Sequence, residues 1–326
     1  MNNKLGFLKE RTKLEFQRAR YEISVTSPMK LMLELTNICN HRCVFCANSR
    51  MTRPKGCISL TLAERVIAQA AEMGVKELSL VATGEPFASP DIDMVIRLAK
   101  KYKFTYVYAT TNGGLATTEK LKSAIEAGLD SLQFSFNAGT RDSYLRIHGH
   151  DDFEKVIRRI EEIAQYRRTS GKNFLLGISF IVTKDNREEK PLVEKLFADI
   201  VDDIAFREEG NQAGHHVQNN KTWVAGRGGG TDPGEKCYLP FTTANVTYEG
   251  YLTMCCVDFQ NYLVVADLNV TSLFDAWNSA QMQSGRKKLI EQKTEGTLCH
   301  RCLTGKQQSV EPLIPKLATI DNDVFQ

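Results

Sequence analysis

The segment KLMLELTNICNHRCVFC (residues 30–46) runs from a short apolar stretch directly into a loop that carries Cys39, Cys43 and Cys46. Its first six residues are typical of a buried β-strand. In enzymes built from repeated strand–helix units, the loops at the C-terminal ends of the strands carry the chemistry. We therefore expect a first strand that delivers three thiols to an active-site face.

Further strand-like runs alternate with helical stretches along the next 160 or so residues. The runs are ELSLVA (77–82), FTYVYAT (104–110), SLQFSF (131–136), FLLGISFIV (174–182) and DIAFRE (203–208). The helical stretches cover about 61–73, 91–102, 118–127, 152–168 and 187–199, the first with Thr61 and Glu64 spaced as a capping box. Six strand–helix units predict a parallel sheet with helices outside. Because a closed TIM barrel needs eight, we predict an α/β fold with a partial (β/α)6 barrel.

The composition changes after this repeat. Residues 209–235 are rich in Gly, Asn and Gln, which predicts a linker or active-site loop. The runs 242–248 and 251–256 flank Glu249–Gly250 and indicate a β-hairpin, 272–292 is helical, and CHRC follows at 299–302. We therefore predict an N-terminal helical extension (1–28), the barrel (29–208), a linker (209–235), a small hairpin-and-helix domain (236–305) and a tail (306–326).

Charge and hydropathy exclude several classes of protein. The 326 residues carry 42 basic and 39 acidic side chains, and this near balance argues against nucleic-acid binding by bulk charge. No apolar run reaches the ~18 residues of a membrane span, and the first residues lack the apolar core of a signal peptide. We expect a cytoplasmic protein that binds neither membrane nor nucleic acid.

Nine cysteines in a reducing compartment favour metal chemistry over disulfides. Three thiolates within one short loop can hold three corners of an iron–sulfur cube, which leaves the fourth iron free for another ligand; a zinc knuckle is the alternative. A second set, Cys237, Cys255, Cys299 and Cys302, has the spacing C-x17-C-x43-C-x2-C. Four thiolates complete either a zinc site or a full cube, and composition alone does not decide between them.

The first loop resembles that of the radical S-adenosylmethionine enzymes, whose hallmark is C-x3-C-x2-C after the first strand with an aromatic residue before the last cysteine, here Phe45. The resemblance implies a 4Fe–4S cluster that passes one electron to bound S-adenosylmethionine and so produces a 5′-deoxyadenosyl radical. It also implies an external electron donor, such as flavodoxin or ferredoxin.

Four further segments resemble the family's cofactor-binding motifs. Thr83-Gly84-Glu85-Pro86 is similar to Gly-Gly-Glu-Pro, and its resemblance implies that Glu85 accepts a hydrogen bond from the cofactor's ammonium group. Asn112 stands in a Thr-Asn-Gly segment and is expected to turn the chain or to help position the ribose. Ser135, at the end of the fourth strand, is expected to contact the carboxylate or the ribose. Residues 144–149 resemble Y-x-x-I-R-G with His148 at the arginine position, so either Arg146 or His148 is expected to bind the carboxylate.

The C-terminal part resembles the twitch form of the SPASM domain, which carries an auxiliary cluster. The matching residues besides the four cysteines are Pro240, Gly250, Asp258, Trp277 and Arg286. The resemblance implies a second 4Fe–4S cluster, with zinc as the alternative. Of the adjacent pair Cys255 and Cys256 only one should be a ligand, because neighbouring residues on a strand face opposite sides. Spacing from Gly250 favours Cys255, which leaves Cys256 as a core thiol or a hydrogen-atom donor.

Two clusters suggest oxidation, since a substrate radical becomes a two-electron product by giving its second electron to a nearby acceptor. We expect a dehydrogenase for a small hydroxylated molecule such as a sugar, nucleotide sugar or aminocyclitol; aminocyclitol-oxidising members of the family share the twitch domain. Alternatives are an epimerase that uses Cys256, modification of a ribosomal peptide, and a non-enzymatic metal protein. No general base is identified; His215 and His216 are candidates, and Arg227 is a candidate substrate contact.

Overall fold

The six predicted strands all form, and they lie parallel in one sheet. The computed structural model describes residues 17–214 and 237–320. The strands are β1 (Lys30–Leu33), β2 (Glu77–Leu80), β3 (Tyr106–Thr111), β4 (Ser131–Ser135), β5 (Leu175–Val182) and β6 (Asp203–Glu208). Each pairs with its sequence neighbour, so the sheet runs in chain order from β1 to β6. Strands such as β5 are almost continuously apolar because helices cover the sheet.

The helices that connect these strands also follow the predicted pattern, with one addition. They are α1 (Leu60–Glu72), α2 (Ile92–Lys101), α3 (Thr118–Ala127), α4 (Arg141–His148), α5 (Phe153–Ser170) and α6 (Lys190–Phe197). The short helix α4 was not predicted, because its eight residues fall inside a segment recognised only as a motif. It begins at a Thr140 cap, whose side chain accepts the Ser143 N–H.

The predicted capping box of α1 is wrong. The helix begins at Leu60, and Ser59 is its N-cap, since the Ser59 side chain accepts the N–H of Leu62. Glu64 instead points outward and pairs with Lys101 at 2.7 Å. Two hydroxyl residues lie within three positions of each other here, and only the backbone geometry distinguishes the cap from the first turn.

The predicted hairpin forms, but it extends the main sheet. Strands β7 (Thr243–Val246), β8 (Tyr251–Thr253) and β9 (Val264–Asp267) are antiparallel to one another, and β7 pairs in parallel with β1. The strand order is therefore β6-β5-β4-β3-β2-β1-β7-β8-β9. This arrangement puts β1, which leads into the first cysteine loop, next to β7, the first strand of the hairpin whose second strand leads to Cys255.

The C-terminal helices close the auxiliary region. They are α7 (Leu239–Thr242), α8 (Leu273–Trp277), α9 (Ala280–Ile290) and α10 (Leu298–Thr304). The single helix predicted over 272–292 is broken, because Ser279 caps a new helix with its side chain on the Met282 N–H. Asn278 at the break exchanges two hydrogen bonds with the backbone of Val25 and so ties down the N-terminal segment. Within the described residues, no helix is both long and apolar enough to cross a membrane.

Candidate active site

The cysteine loop after β1 is held by backbone hydrogen bonds. The N–H groups of Arg42 and Val44 donate to the two carbonyls at the end of α4, both at 2.9 Å. Gly84, from the turn after β2, packs against the start of the loop: a Cβ there would lie 2.2 Å from the Thr36 carbonyl oxygen. Glu85 donates its N–H to the Ile38 carbonyl at 2.8 Å. The 83–86 turn therefore supports the loop directly, and only glycine fits at position 84.

In the part of the chain that the structure describes, the cysteine sulfurs are not gathered around one point as a single zinc ion would require. Within the described ranges, no three of the cysteine sulfurs lie within 4.8 Å of one another. Thiolates bound to a single zinc ion at about 2.3 Å would lie roughly 3.8 Å apart.

Burial raises the pKa of the thiols in the first loop, that of Cys39 to about 11 and that of Cys43 well above its usual value, and Cys46 contributes further. Because burial disfavours the charged thiolate, the protonated form of these thiols is favoured in the metal-free protein. A bound metal cluster would supply the positive charge that holds them as thiolates. The set of donors therefore fits the implied cluster.

Glu85 is buried and acts as an acceptor between the ends of β2 and β3. Its carboxylate accepts the Thr111 hydroxyl at 2.6 Å, the Asn112 N–H at 2.7 Å and the Phe87 N–H at 3.1 Å. Burial raises its pKa to about 7 despite these donors. A carboxylate has about four acceptor positions, so one remains for a further donor.

Asn112 connects this carboxylate to the cysteine loop. Its Nδ2 donates to Asn40 Oδ1 at 2.9 Å and lies 3.6 Å from Cys39 Sγ. Its Oδ1 accepts the Gly114 N–H at 2.7 Å, so the side chain also shapes the turn. Ser135, at the end of β4, is half-buried and its hydroxyl accepts Asn137 Nδ2 at 3.1 Å.

His148 is fully buried beneath the cysteine loop. Its Nε2 accepts the N–H of Asn137 at 3.2 Å, which leaves the ring proton on Nδ1. This Nδ1 lies 3.6 Å from Cys43 Sγ and 3.3 Å from His41 Nδ1. Burial holds the pKa of His148 well below its usual value, so the ring is neutral. His148 therefore faces a cysteine sulfur, whereas Arg146 is exposed on the outer side of α4.

Other predicted residues fall in different surroundings. Phe45 is buried. Cys57 is exposed and stands apart from both cysteine sets. The candidates His215, His216 and Arg227 lie outside the described residues.

The second set of cysteines comes together from three parts of the chain: before α7, after β8 and within α10. A hydrogen bond with Cys256 and burial raise the pKa of Cys255, and the charges of Cys302 and Cys237 raise it further. Burial and the charges of Cys237 and Cys302 raise the pKa of Cys299 in the same way. These mutual effects show that the four predicted thiols face one another, with Cys256 beside them.

Neighbouring residues frame this second set. Asp258 closes the loop after Cys256, since its carboxylate accepts the N–H groups of Tyr262 at 2.8 Å and Leu263 at 2.7 Å. Arg286 stacks over the Trp277 ring at 4.4 Å and donates to the Pro240 carbonyl at 2.8 Å. The predicted Trp, Arg and Asp positions are thus structural supports of the auxiliary region.

A buried charged network between the two sets was missed by the sequence analysis. Arg53 donates to Glu34 at 2.6 Å and to Glu249 at 2.6 and 2.9 Å. The Thr83 hydroxyl donates to the same Glu34 carboxylate, which also accepts the Tyr248 N–H at 3.0 Å. The available signal was Glu34 itself, a carboxylate in an apolar strand, because such a charge is buried only with a partner.

A small cavity, partly open to solvent, lies between the turn that supports the first cysteine loop and Cys255 of the second set. It is bordered by the 83–86 turn on one side and by the end of β8 on the other. The residues that line the cavity include Glu34, Arg53, Thr83, Asn245, Cys255 and Cys256.

Sequence comparisons agree with the two sites. A profile of the radical SAM superfamily matches residues 33–194, and one of the SPASM iron–sulfur cluster-binding domain matches residues 237–303. The PqqA peptide cyclase of Gluconobacter oxydans is 31% identical over 160 residues, which cover 49% of this chain and 43% of that protein. The chain spans less than half the length of the curated relatives it matches.

Solved structures share the fold. BtrN in complex with AdoMet and 2-DOIA aligns with a TM-score of 0.58 at 17% identity, over 91% of this chain and 99% of BtrN. SuiB of Streptococcus suis bound to the precursor peptide SuiA aligns with a TM-score of 0.65 at 15% identity, over 90% of this chain and 73% of SuiB. At these identities the likeness concerns the fold alone.

Proposed function

Because this chain belongs to the radical SAM superfamily and carries a SPASM domain, we propose that it is a dehydrogenase for a small hydroxylated molecule. The two domains imply one 4Fe–4S cluster that binds S-adenosylmethionine and a second, auxiliary 4Fe–4S cluster. When reduced, the first supplies the electron that splits S-adenosylmethionine into methionine and a 5′-deoxyadenosyl radical. An external donor, such as flavodoxin or ferredoxin, provides that electron.

The first site binds and orients the cofactor in this proposal. Cys39, Cys43 and Cys46 hold the first cluster, and the remaining acceptor position of Glu85 takes the ammonium group of S-adenosylmethionine. Asn112 and Ser135 lie at the ends of β3 and β4, the face where strand–helix enzymes bind their ligands, and contact the ribose or carboxylate. Arg146 is the candidate cation for the carboxylate.

The observation that carries the oxidation is the cavity between the two cysteine sets. One wall contains Thr83 of the cofactor motif, and another contains Cys255 of the auxiliary set. An alcohol bound there loses one hydrogen atom to the 5′-deoxyadenosyl radical, one proton to a base and one electron to the auxiliary cluster. The product is a ketone, and these two electrons and two protons balance.

The test is product stoichiometry under anaerobic conditions. Reconstituted protein with dithionite, S-adenosylmethionine and 2-deoxy-scyllo-inosamine should form 5′-deoxyadenosine and a ketone in equal amounts. Substrate deuterated at the reacting carbon should transfer one deuterium to 5′-deoxyadenosine. Equal 5′-deoxyadenosine from samples with and without substrate, and no ketone from a panel of sugars and cyclitols, would reject the proposal.

An epimerase is the second candidate, because Cys256 lines the same cavity. Its thiol would return a hydrogen atom to the opposite face of the substrate carbon, and the thiyl radical left behind would regain one electron from the reduced auxiliary cluster and one proton from solvent. The substrate would lose no electrons overall. Solvent deuterium in the product, and its disappearance in Cys256→Ala, would favour this reaction over dehydrogenation.

Peptide modification is the third candidate. Its support is the match to a peptide cyclase and the shared fold with a structure bound to a precursor peptide. A peptide substrate would give deuterium transfer from a labelled peptide and none from labelled cyclitols.

A further inference from the structure

We propose that the cavity between the two cysteine sets recognises a substrate hydroxyl group through Arg53 and Asn245, and that it selects unphosphorylated polyhydroxylated molecules, with or without an amine. The inference rests on the proposed function only for the reaction that follows binding. Its basis is a pair of buried atoms without hydrogen-bond partners, one a donor and the other an acceptor.

Arg53 provides the donor. The side chain is 2% exposed, and its Nε and Nη2 are engaged by Glu34 and Glu249. Within the described ranges, Nη1 is buried and has no hydrogen-bond partner. A guanidinium nitrogen without a partner in a buried position is costly, and structures retain it where a ligand or water completes the bond.

Asn245 provides the acceptor. It lies on β7, is 2% exposed, and its Nδ2 donates to the Thr243 carbonyl at 3.4 Å. Its Oδ1 is buried and accepts no hydrogen bond from the part of the chain that the structure describes. Both side chains border the cavity.

A hydroxyl group is the ligand that satisfies both atoms. Its oxygen accepts from Arg53 Nη1, and its proton is donated to Asn245 Oδ1. A carboxylate or phosphate has no proton for Asn245, and an ammonium group has no lone pair for Arg53. A site that offers one donor and one acceptor rejects an analogue that lacks the hydroxyl, because both groups are then left unpaired.

The charge at the cavity selects further. The guanidinium of Arg53 is shared by two carboxylates, Glu34 and Glu249, and Lys55 interacts electrostatically with Glu34, so these four charges balance. Asp258 also borders the cavity. A phosphorylated or nucleotide-linked sugar meets repulsion here, whereas an amine-bearing cyclitol or amino sugar is attracted.

The cavity is separate from the space that the auxiliary cysteines enclose. Its lining includes Cys255 and Cys256 but not Cys237, Cys299 or Cys302. A substrate in it lies between the turn that carries Thr83 and the pair Cys255–Cys256. This is the position that a molecule needs if it reacts on one side and passes an electron to the other.

The test is calorimetric binding of defined probes to the full-length, reconstituted protein with S-adenosylmethionine. The probes are 2-deoxy-scyllo-inosamine, myo-inositol, glucosamine and glucosamine 6-phosphate. We expect an unphosphorylated probe to bind, and glucosamine 6-phosphate to bind at least ~10-fold more weakly than glucosamine. Asn245→Leu should weaken the best probe by roughly 10- to 100-fold. Asn245→Asp keeps an acceptor, and its affinity for an amine-bearing probe should stay within about 3-fold of the wild-type affinity.

Stability separates a binding role from a structural one. Because Asn245→Leu removes an unpaired buried acceptor, the unliganded variant should melt at the same temperature as the wild type or higher. Asn186 is the matched control, since its amide oxygen and nitrogen are all bonded inside the protein. Asn186→Leu should lower the melting temperature and leave the affinity of the folded fraction unchanged.

Three results overturn the inference: no binding of any unphosphorylated probe, preference for the phosphorylated one, or unchanged affinity in Asn245→Leu. The same samples are assayed for 5′-deoxyadenosine and ketone. Probe binding that Asn245→Leu abolishes, without ketone in the wild type, rejects the dehydrogenase and retains the hydroxyl site. Ketone formation with an unchanged KM in Asn245→Leu rejects the hydroxyl site and retains the dehydrogenase.

Discussion

The two cysteine sites are built in different ways. The first set lies within eight residues of one loop, and backbone hydrogen bonds to α4 and the 83–86 turn hold that loop. The second set spans 66 residues, from Cys237 to Cys302, and only the packing of the hairpin against three helices brings its thiols together. A local site tolerates changes elsewhere in the chain, whereas a site assembled by packing depends on its supports.

Removing one cysteine from each site gives the largest expected contrast. Cys43→Ala should abolish 5′-deoxyadenosine formation, by at least ~1,000-fold, because the radical chemistry resides in the cofactor. Cys302→Ala should retain most 5′-deoxyadenosine formation but lose the oxidised product. Each variant should carry about half the iron of the wild type. The measurements are iron content and both products in one assay.

Cys57→Ala is the control, since this exposed thiol belongs to neither set. If Cys302→Ala also lost 5′-deoxyadenosine while Cys43→Ala kept it, the assignment of the two sites would be reversed.

The second largest effect is expected when the ion pairs of Arg53 with Glu34 and Glu249 are broken, and it is a loss of stability. Arg53→Met leaves Glu34 buried without its cation, which costs about 3–5 kcal/mol of unfolding free energy. The exposed pair of Lys101 with Glu64 is the matched control, and Lys101→Met should lower the unfolding free energy far less, because water screens this pair. Urea unfolding of the metal-free protein measures both. Equal losses would mean that the Arg53 network contributes no more than a surface ion pair.

The buried carboxyl groups of the two sites should give stability a pH dependence. Burial raises the pKa of Glu85 to about 7 and raises that of Asp258 as well. Since the folded protein binds these protons more tightly than the unfolded chain, the contribution of Glu85 is complete below about pH 4.5 and is lost as pH rises through 7. Its upper limit is about 3.5 kcal/mol, because the pKa rises from its ordinary 4.5 to about 7 and each pH step of one corresponds to about 1.4 kcal/mol.

Unfolding free energies of the metal-free protein at pH 5 and pH 8 check this prediction. Glu85→Gln and Asp258→Asn should each flatten the decline with pH, even if the variants are less stable at every pH. A decline as steep in Glu85→Gln as in the wild type would assign the pH dependence to other groups.

Replacing His148 should have a smaller effect, which concerns the reduction potential of the first cluster. Its Nδ1–H faces Cys43 Sγ, and hydrogen bonds to cluster sulfurs raise the reduction potential. His148→Phe should therefore lower the potential of the first cluster by about 40 mV, the equivalent of a hydrogen bond of about 1 kcal/mol. A redox titration followed by electron paramagnetic resonance measures this shift. The exposed His150→Phe is the control, and equal potentials in both variants would show that the contact does not act on the sulfur.

Much of the fold follows from local pattern. The six strand–helix units were predicted because hydrophobic periodicity and turn residues act over a few positions. The same locality explains the failures. Whether Ser59 or Thr61 caps α1, and whether 272–292 is one helix or two, depends on the backbone geometry of single residues.

The residues of the candidate site show the same division between what local sequence predicts and what it does not. The motif residues around Cys39 and Glu85 were found because each motif is contiguous in the chain. Arg53 and Asn245 were missed, since one lies in a loop without a motif and the other in a short apolar strand. Nothing local distinguishes them from ordinary polar residues until their partners are known.

By itself, the sequence determined the alternation of strands and helices, the three-thiol loop and the four-cysteine spacing, because these are properties of neighbouring residues. Only the tertiary structure decided that β7 joins the free edge of β1, and that Thr83 and Cys255 line one cavity. It also decided which buried polar atoms lack a partner. Hydrogen bonds and ion pairs between residues some 200 positions apart form only when the chain has packed, and the selectivity of this site depends on them.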